Sequence, residues 1–162
     1  MNSLLRSFRY AAAGIAQCLL RERNFRIHIT AVCTVIWLSR FYPFARGEKA
    51  LLAALCGLVL AAELMNTAVE RTVDLVTQER RPLAKYAKDA AAGGVLAAAI
   101  CAAAVGIFLF GQREPLLACL DYFLERPGRF LLLAFAAAGA VIFIFTDWDG
   151  LLKKHRGRSG SL

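Results

Sequence analysis

The chain has 162 residues, enough for one domain, and 59% of them are apolar, a high fraction for a soluble protein. Its net charge of +8 is not a nucleic-acid signature, because there is no zinc-binding cysteine pattern and no isolated basic domain. The basic residues lie at the ends of long apolar runs instead, a pattern that suits anionic lipid surfaces. Composition therefore predicts a membrane protein.

The N-terminal stretch, residues 2–23, predicts an amphipathic helix on the membrane surface. Its apolar residues recur at spacings of three or four, namely Leu4, Phe8, Ala11, Ile15 and Leu19. The apolar run from Ile27 to Leu38 follows and predicts a first transmembrane helix, with Trp37 and Tyr42 marking its interfacial end.

Two longer apolar segments predict the second and third transmembrane helices. The second runs from about Lys49 to about Thr77, which exceeds the roughly 20 residues needed to span, so its end should project below the bilayer. The third begins near Ala84 and contains the uncharged run from Ala90 to Gly111, whose glycines and alanines permit close helix packing.

The C-terminal third adds a short and a long apolar segment. Leu116–Leu124 contains Asp121 and is predicted to lie at the interface, whereas Phe130–Thr146 is uncharged and predicts a fourth transmembrane helix. Residues 153–162 are basic and are predicted to form a flexible tail. The predicted fold is all-α and integral to the membrane: a surface helix, three core transmembrane helices and a fourth.

The distribution of arginine and lysine predicts the topology. Most basic residues lie in the N-terminal helix, in residues 71–88 and in the C-terminal tail, and four spans place all three regions on one side. Because the side richer in Lys and Arg is the cytoplasmic one, both termini are expected in the cytoplasm.

The second transmembrane helix carries a stripe of polar side chains. Glu63, Glu70 and Asp74 are seven and four residues apart and fall within a sector of roughly 40° at about 100° per residue, with Asn66 on its flank. Such residues are expensive in hydrocarbon and are functional by default. Grouped carboxylates can hold Mg²⁺ together with substrate phosphates, and one of them can instead act as a general base.

The topology brings further charged residues to the same cytoplasmic level. Glu22 ends the first helix, and Lys88 and Asp89 open the third transmembrane helix. Carboxylates at the interface, a lysine beside them and one deeper carboxylate fit phosphoryl transfer from a soluble donor to a membrane-dissolved acceptor. The chain has no Walker motif and no glycine-rich kinase loop, so it is not a soluble type of kinase.

Three blocks of sequence carry a resemblance to a known family. Residues 63–74, Glu-Leu-Met-Asn-Thr-Ala-Val-Glu-Arg-Thr-Val-Asp, resemble the ExxNTAxExxxD signature of the prokaryotic diacylglycerol kinases. Ala87-Lys88-Asp89 resembles the second block of that family, and Glu22 to Arg26 resembles its N-terminal Glu-x-x-Phe-Arg segment. The details of residues 24–28 and 73–75 are closer to the undecaprenol kinase branch.

The resemblance implies a role for each matching residue. Glu63 would be the general base on the lipid hydroxyl, Asn66 would orient that hydroxyl or a phosphate, and Glu22 and Glu70 would ligate the Mg²⁺ of ATP. Other residues would contact the nucleotide or its phosphates, namely Asp74, Lys88, Asp89 and Tyr10. The usual N-terminal arginine of the family has no clear match here, since Ser3 falls at that position with Arg6 and Arg9 nearby.

The resemblance also implies the setting of the reaction. It predicts a bacterial inner-membrane lipid kinase that uses MgATP, with undecaprenol as the preferred acceptor and diacylglycerol as the alternative, assembled as a homotrimer with shared active sites. Residues 1–111 would form the kinase core, 112–152 a linker and additional transmembrane helix, and 153–162 the tail.

Two other function classes compete with the kinase. A small proton-coupled transporter would explain a membrane-buried Glu63, but not the charged residues at the cytoplasmic surface. A non-catalytic membrane scaffold would have no need of the carboxylates, unless they form a polar seam for helix packing.

Overall fold

The computed structural model describes residues 3–152, and these form helices joined by short links, with no strand among them. The helices are α1 (Ser3–Arg21), α2 (Arg23–Leu38), α3 (Arg46–Val76), α4 (Pro82–Phe110), α5 (Arg113–Leu124) and α6 (Gly128–Phe145), and a 3₁₀ turn, Ser39–Phe41, follows α2. The predicted basic tail at 153–162 lies outside the described residues. The all-α prediction is confirmed.

Within residues 3–152, three helices are long and apolar enough to cross a membrane, namely α3, α4 and α6. With 31 and 29 residues, α3 and α4 rise about 46 and 44 Å, more than the ~30 Å hydrocarbon core. Their bounds lie within a few residues of the predicted ones. Because α3 is so long, its last turns extend past any bilayer that its apolar half spans.

The shorter helix α2 connects the same two ends of the bundle. It has 16 residues and rises only about 24 Å, and the 3₁₀ turn continues it to Phe41. Just past it, the Tyr42 hydroxyl donates a hydrogen bond of 2.7 Å to the carbonyl of Phe110 at the end of α4. Just before it, Glu22 pairs with Arg71 near the end of α3.

Aromatic packing closes the end of the bundle that holds Tyr42. Tyr42, Phe44, Leu52 and Leu109 form a buried cluster. The rings of Tyr42 and Phe44 lie 4.9 and 5.2 Å from that of Phe110, in edge-to-face geometry. Each such pair contributes about 0.5–1.5 kcal/mol beyond its buried area. This end is therefore well packed, while the polar stripe lies in the other half of α3.

A single residue separates α1 from α2. The sequence predicted helix through residue 23, but α1 ends at Arg21 and Glu22 is extended, with φ −101° and ψ 111°. The apolar residues Leu4, Phe8 and Ile15 of α1 are exposed, as a helix that lies on a membrane surface requires.

The C-terminal helices pack against α2 and the turn that follows it. The ring of Phe123 in α5 lies 5.8 Å from that of Trp37. Helix α6 runs back along α2, and its last turn reaches the N-terminal end of α2. No residue of α6 is buried, and Leu132 and Phe135 are 69% and 76% exposed, so its outer face is suited to lipid.

Candidate active site

The polar stripe of α3 (Glu63, Asn66, Glu70 and Asp74) runs from the packed interior to the surface. Glu63 is 3% exposed and Asn66 is 7% exposed. Glu70 is half-buried and Asp74 is exposed. The stripe therefore connects a level from which water is largely excluded with the solvent-facing end of the helix, in the order of depth that the spacing predicted.

Asn66 is held by its neighbour on the stripe but keeps one free acceptor. Its side-chain Nδ2 donates a hydrogen bond of 3.0 Å to Oε1 of Glu70, one turn away. Its Oδ1 is buried and has no hydrogen-bond partner among the described residues. An unsatisfied buried acceptor costs about 1–3 kcal/mol, so this oxygen is an available acceptor for a donor on a bound molecule.

Glu22 joins the stripe from the junction of α1 and α2. Its Oε1 accepts a hydrogen bond of 2.7 Å from the Arg71 guanidinium, which follows Glu70 on α3. Glu22 and Glu70 both lie close enough to Glu63 to interact with it electrostatically. Glu22 and Glu70 are therefore both within electrostatic range of Glu63, although the three carboxylates do not form a cluster that could hold a metal ion among residues 3–152.

A cleft between α1 and α3 opens beside this group. It has a volume of about 490 Å³ and is lined by Cys18, Glu22, Thr67 and Arg71 among other residues. Burial raises the pKa of the Cys18 thiol above its ordinary value, and the hydrogen bond from Thr67 offsets part of that effect. Cys18 thus marks a partly desolvated position one turn before Glu22.

The start of α4 meets the exposed end of the stripe. Lys88 Nζ lies 2.5 Å from Asp74 Oδ1, across the 77–81 link between the two helices. A cavity of about 690 Å³ lies at this link and has Asp74, Lys88 and Asp89 in its wall. Three further basic side chains line it, those of Arg80, Arg81 and Lys85, together with the carboxylate of Glu79, which pairs with Arg81. Four basic and three acidic side chains therefore line the cavity.

Tyr10 is not brought to this group within one chain. It is 65% exposed on α1, and the guanidinium carbon of Arg9 lies 5.7 Å from its ring centre. The α1 cleft begins one residue later, at Ala11.

The carboxylates of this group suit Mg²⁺ only in part. Among residues 3–152, no cluster of three or more His, Cys, Asp or Glu side chains is arranged to hold a metal ion. Mg²⁺ is usually bound by one or two carboxylates together with substrate phosphates and water. Glu22 and Glu70 therefore fit an ion that arrives with a nucleotide and do not fit a resident ion held by protein ligands alone.

Sequence reasoning missed two arginines. Arg71 pairs with Glu22, 49 residues away, and Arg26 is buried with only 5% of its surface exposed. A buried arginine inside an apolar helix is a recognisable signal, since such a charge needs compensation. Nothing in the sequence indicated that Arg71 pairs with Glu22, because this pairing depends on how α1 packs against α3.

Comparison with known proteins decides the family. Residues 9–110 match the family of prokaryotic diacylglycerol kinases. The chain belongs to this family. It is accordingly a lipid kinase and a helical membrane protein, as predicted, and the match ends at the last residue of α4, so α5 and α6 lie outside it.

Two relatives show how the similarity is distributed. The undecaprenol kinase of Bacillus subtilis is 39% identical over 110 residues, which cover 68% of this chain and 89% of the relative. The diacylglycerol kinase of Synechocystis sp. is 48% identical over 105 residues, which cover 64% of this chain and 60% of the relative. Both kinds of lipid kinase are therefore among the similar proteins.

Proposed function

We propose that this lipid kinase transfers the γ-phosphoryl group of MgATP to the hydroxyl of undecaprenol, with diacylglycerol as the alternative acceptor. The observation that carries the proposal is the gradient of depth along the stripe. Glu63 and Asn66 lie at a buried level, and this is the level at which we place the lipid hydroxyl. Asp74 and Lys88 lie at a solvent-facing cavity that a nucleotide can enter.

In this proposal Glu63 is the general base. It takes the proton of the lipid hydroxyl as the hydroxyl oxygen attacks the γ-phosphorus. A new oxygen–phosphorus bond forms while the bond from the γ-phosphorus to the bridging oxygen breaks, and ADP leaves with that electron pair. Before the reaction, the free Oδ1 of Asn66 accepts the hydrogen bond of the lipid hydroxyl and so orients it. That single proton then turns from Asn66 to Glu63 as the attack begins.

Glu22 and Glu70 are the proposed ligands of Mg²⁺. When bound, this ion would offset the negative charge of the phosphates. Glu22 exchanges its pairing with Arg71 for this role, and Arg71 becomes free to contact a phosphate. The remaining nucleotide contacts are assigned to Asp74, Lys88 and Asp89 at the cavity.

We prefer undecaprenol because residues 24–28 and 73–75 resemble the undecaprenol kinase branch of the family. The match to an undecaprenol kinase over 89% of its length supports that choice. The 48% identity to a diacylglycerol kinase keeps diacylglycerol as the alternative. Membership of a lipid kinase family favours phosphorylation over the proton-coupled transporter.

We further propose that the chain lies in the bacterial inner membrane, with its N-terminus and active site in the cytoplasm, where ATP is found. A homotrimer would let the exposed Tyr10 of one subunit reach the nucleotide of its neighbour. The division into a core at 1–111 and an added segment at 112–152 stays a prediction.

The deciding experiment is phosphate transfer from labelled ATP by the purified chain in mixed micelles. Undecaprenol and diacylglycerol are offered side by side, with and without Mg²⁺. Mg²⁺-dependent labelling of undecaprenol in excess over diacylglycerol supports the proposal, and the reverse ratio selects the alternative. If a well-folded preparation labels neither lipid, both acceptors are wrong.

A further inference from the structure

The C-terminal segment contacts the arginines on either side of Glu22. Asp149 pairs with Arg21 at 3.5 Å, and the ring of Phe145 lies 5.7 Å from the guanidinium carbon of Arg23. The carbonyl of Ile144 accepts two hydrogen bonds from Arg26, of 2.8 and 3.1 Å. This segment lies outside the family match, which ends at residue 110.

Arg26 joins two helix ends at once. Besides the carbonyl of Ile144 in the last turn of α6, its Nη1 donates to the carbonyls of Leu19 and Leu20 in the last turn of α1, at 3.2 and 3.1 Å. The C-terminus of a helix carries about −0.5 of an elementary charge. Two such ends together offset the charge of the buried guanidinium, so Arg26 links α1 to α6.

The position of Glu22 depends on this arrangement. Glu22 is the one residue between α1 and α2, so its extended backbone sets the angle between the two helices. Arg26 lies one turn further along α2, where its backbone N–H bonds the Glu22 carbonyl at 3.3 Å. By reaching back to the last turn of α1, its side chain fixes that angle. We call this junction of α1 and α2 at Glu22 the Glu22 corner.

We propose that α6 and the residues just after it hold the Glu22 corner, with Arg26 as the main positioning residue and Arg21 and Arg23 as further contacts. The functional part of this inference rests on the proposed function, in which Glu22 is a ligand of Mg²⁺. When α6 is loosened from the corner, the carboxylate of Glu22 samples more positions and binds Mg²⁺ less well. Glu63 lies on α3 and keeps its role as base.

Two full-length variants test this from opposite sides. Phe145→Ala with Asp149→Asn removes side-chain contacts of the C-terminal segment, and Arg26→Lys keeps the charge but loses the guanidinium that bridges the two helices. Phe135→Ala with Asp121→Asn is the matched control, because it removes an equivalent ring and carboxylate away from the corner. Phe135 is 76% exposed on the outer face of α6.

The first readout does not need activity. Cys18 lies one turn before Glu22, and the Glu22 N–H donates to its carbonyl at 2.8 Å. In both test variants, alkylation of the half-buried Cys18 thiol should be at least about threefold faster than in the wild type, given local contacts worth about 0.7 kcal/mol. Alkylation of the half-buried Cys119 in α5, far from the corner and read from the same digest, should not change.

The second readout is the Mg²⁺ dependence of lipid phosphorylation. The Mg²⁺ concentration for half-maximal rate should rise at least about threefold in both test variants, with kcat at saturating Mg²⁺ within about twofold of the wild type. The control double variant should match the wild type in both readouts.

The outcomes separate this inference from the proposed function. Unchanged Cys18 alkylation in both test variants overturns the inference, whatever the activity shows. Faster alkylation with an unchanged Mg²⁺ midpoint, or with a fall in kcat alone, overturns the part that concerns Glu22 and Mg²⁺. A wild-type protein that phosphorylates neither lipid refutes the proposed function, and Cys18 alkylation still decides whether α6 holds the corner.

Discussion

Replacement of Glu63 by glutamine separates the chemistry of the buried carboxylate from its place in the fold. Glutamine has nearly the same size and keeps an oxygen acceptor, but it cannot take a proton. General-base catalysis contributes about 10²–10⁴ in rate, so kcat should fall by that factor, or about 3–5 kcal/mol in the activation barrier at 1.36 kcal/mol per tenfold.

Stability should respond in the opposite direction. Glu63 is 3% exposed and interacts with the like charges of Glu70 and Glu22. A neutral amide removes the cost of burying a charge among two others. The Tm of the variant in detergent should therefore equal or exceed that of the wild type, where about 2–4 °C corresponds to 1 kcal/mol for a chain of this size.

The assay is kcat and KM for ATP and lipid, with thermal unfolding of the same preparations followed by circular dichroism. Glu48→Gln is the matched control, because Glu48 lies on the same helix, where its carboxylate only accepts from the N–H of Ala45 at the start of α3. A Glu63→Gln variant with kcat within about threefold of the wild type refutes the base role. A large loss of Tm would show that the carboxylate is needed for packing.

The other predictions follow from the same site. Glu70→Gln should weaken MgATP binding measured by calorimetry, because a proposed Mg²⁺ ligand becomes neutral; equal affinity would remove Glu70 from that role. Asn66→Ala should lower kcat/KM for the lipid by about tenfold, since it loses both the bond to Glu70 and the free acceptor, and an effect on the KM for ATP alone would contradict this. In a double-mutant cycle, Lys88→Met and Asp74→Asn should couple by at most about 1 kcal/mol in stability, because the side chains are 36% and 49% exposed and water screens the pair. Lys88→Met alone should raise the KM for ATP severalfold. Because burial raises the pKa of the Cys18 thiol above the ordinary value of about 8.5, its alkylation rate in the wild type should still increase above pH 8.5. A rate that levels off near pH 8 would show that the thiol is not buried.

Local patterns in the sequence were enough to predict the helices and the polar stripe. Apolar run length and helical periodicity depend on neighbouring residues, and α3, α4 and α6 were found within a few residues of their observed bounds. The order of depth from Glu63 to Asp74 follows from the same periodicity, because residues seven and eleven apart share one face of any α-helix. The family followed from motifs that lie in three short blocks.

Only the tertiary structure decided how the helices meet. Arg26 contacts Ile144 across 118 residues of sequence, and Glu22 contacts Arg71 across 49. Neither pairing follows from periodicity, because each depends on which faces of two separate helices pack and on the angle at one extended residue, Glu22. The same reason explains Tyr10, whose place on a helix was predictable but whose distance from the stripe in one chain was not. The sequence by itself thus determined the helices and the chemistry along each of them, and the packing decided which side chains act together.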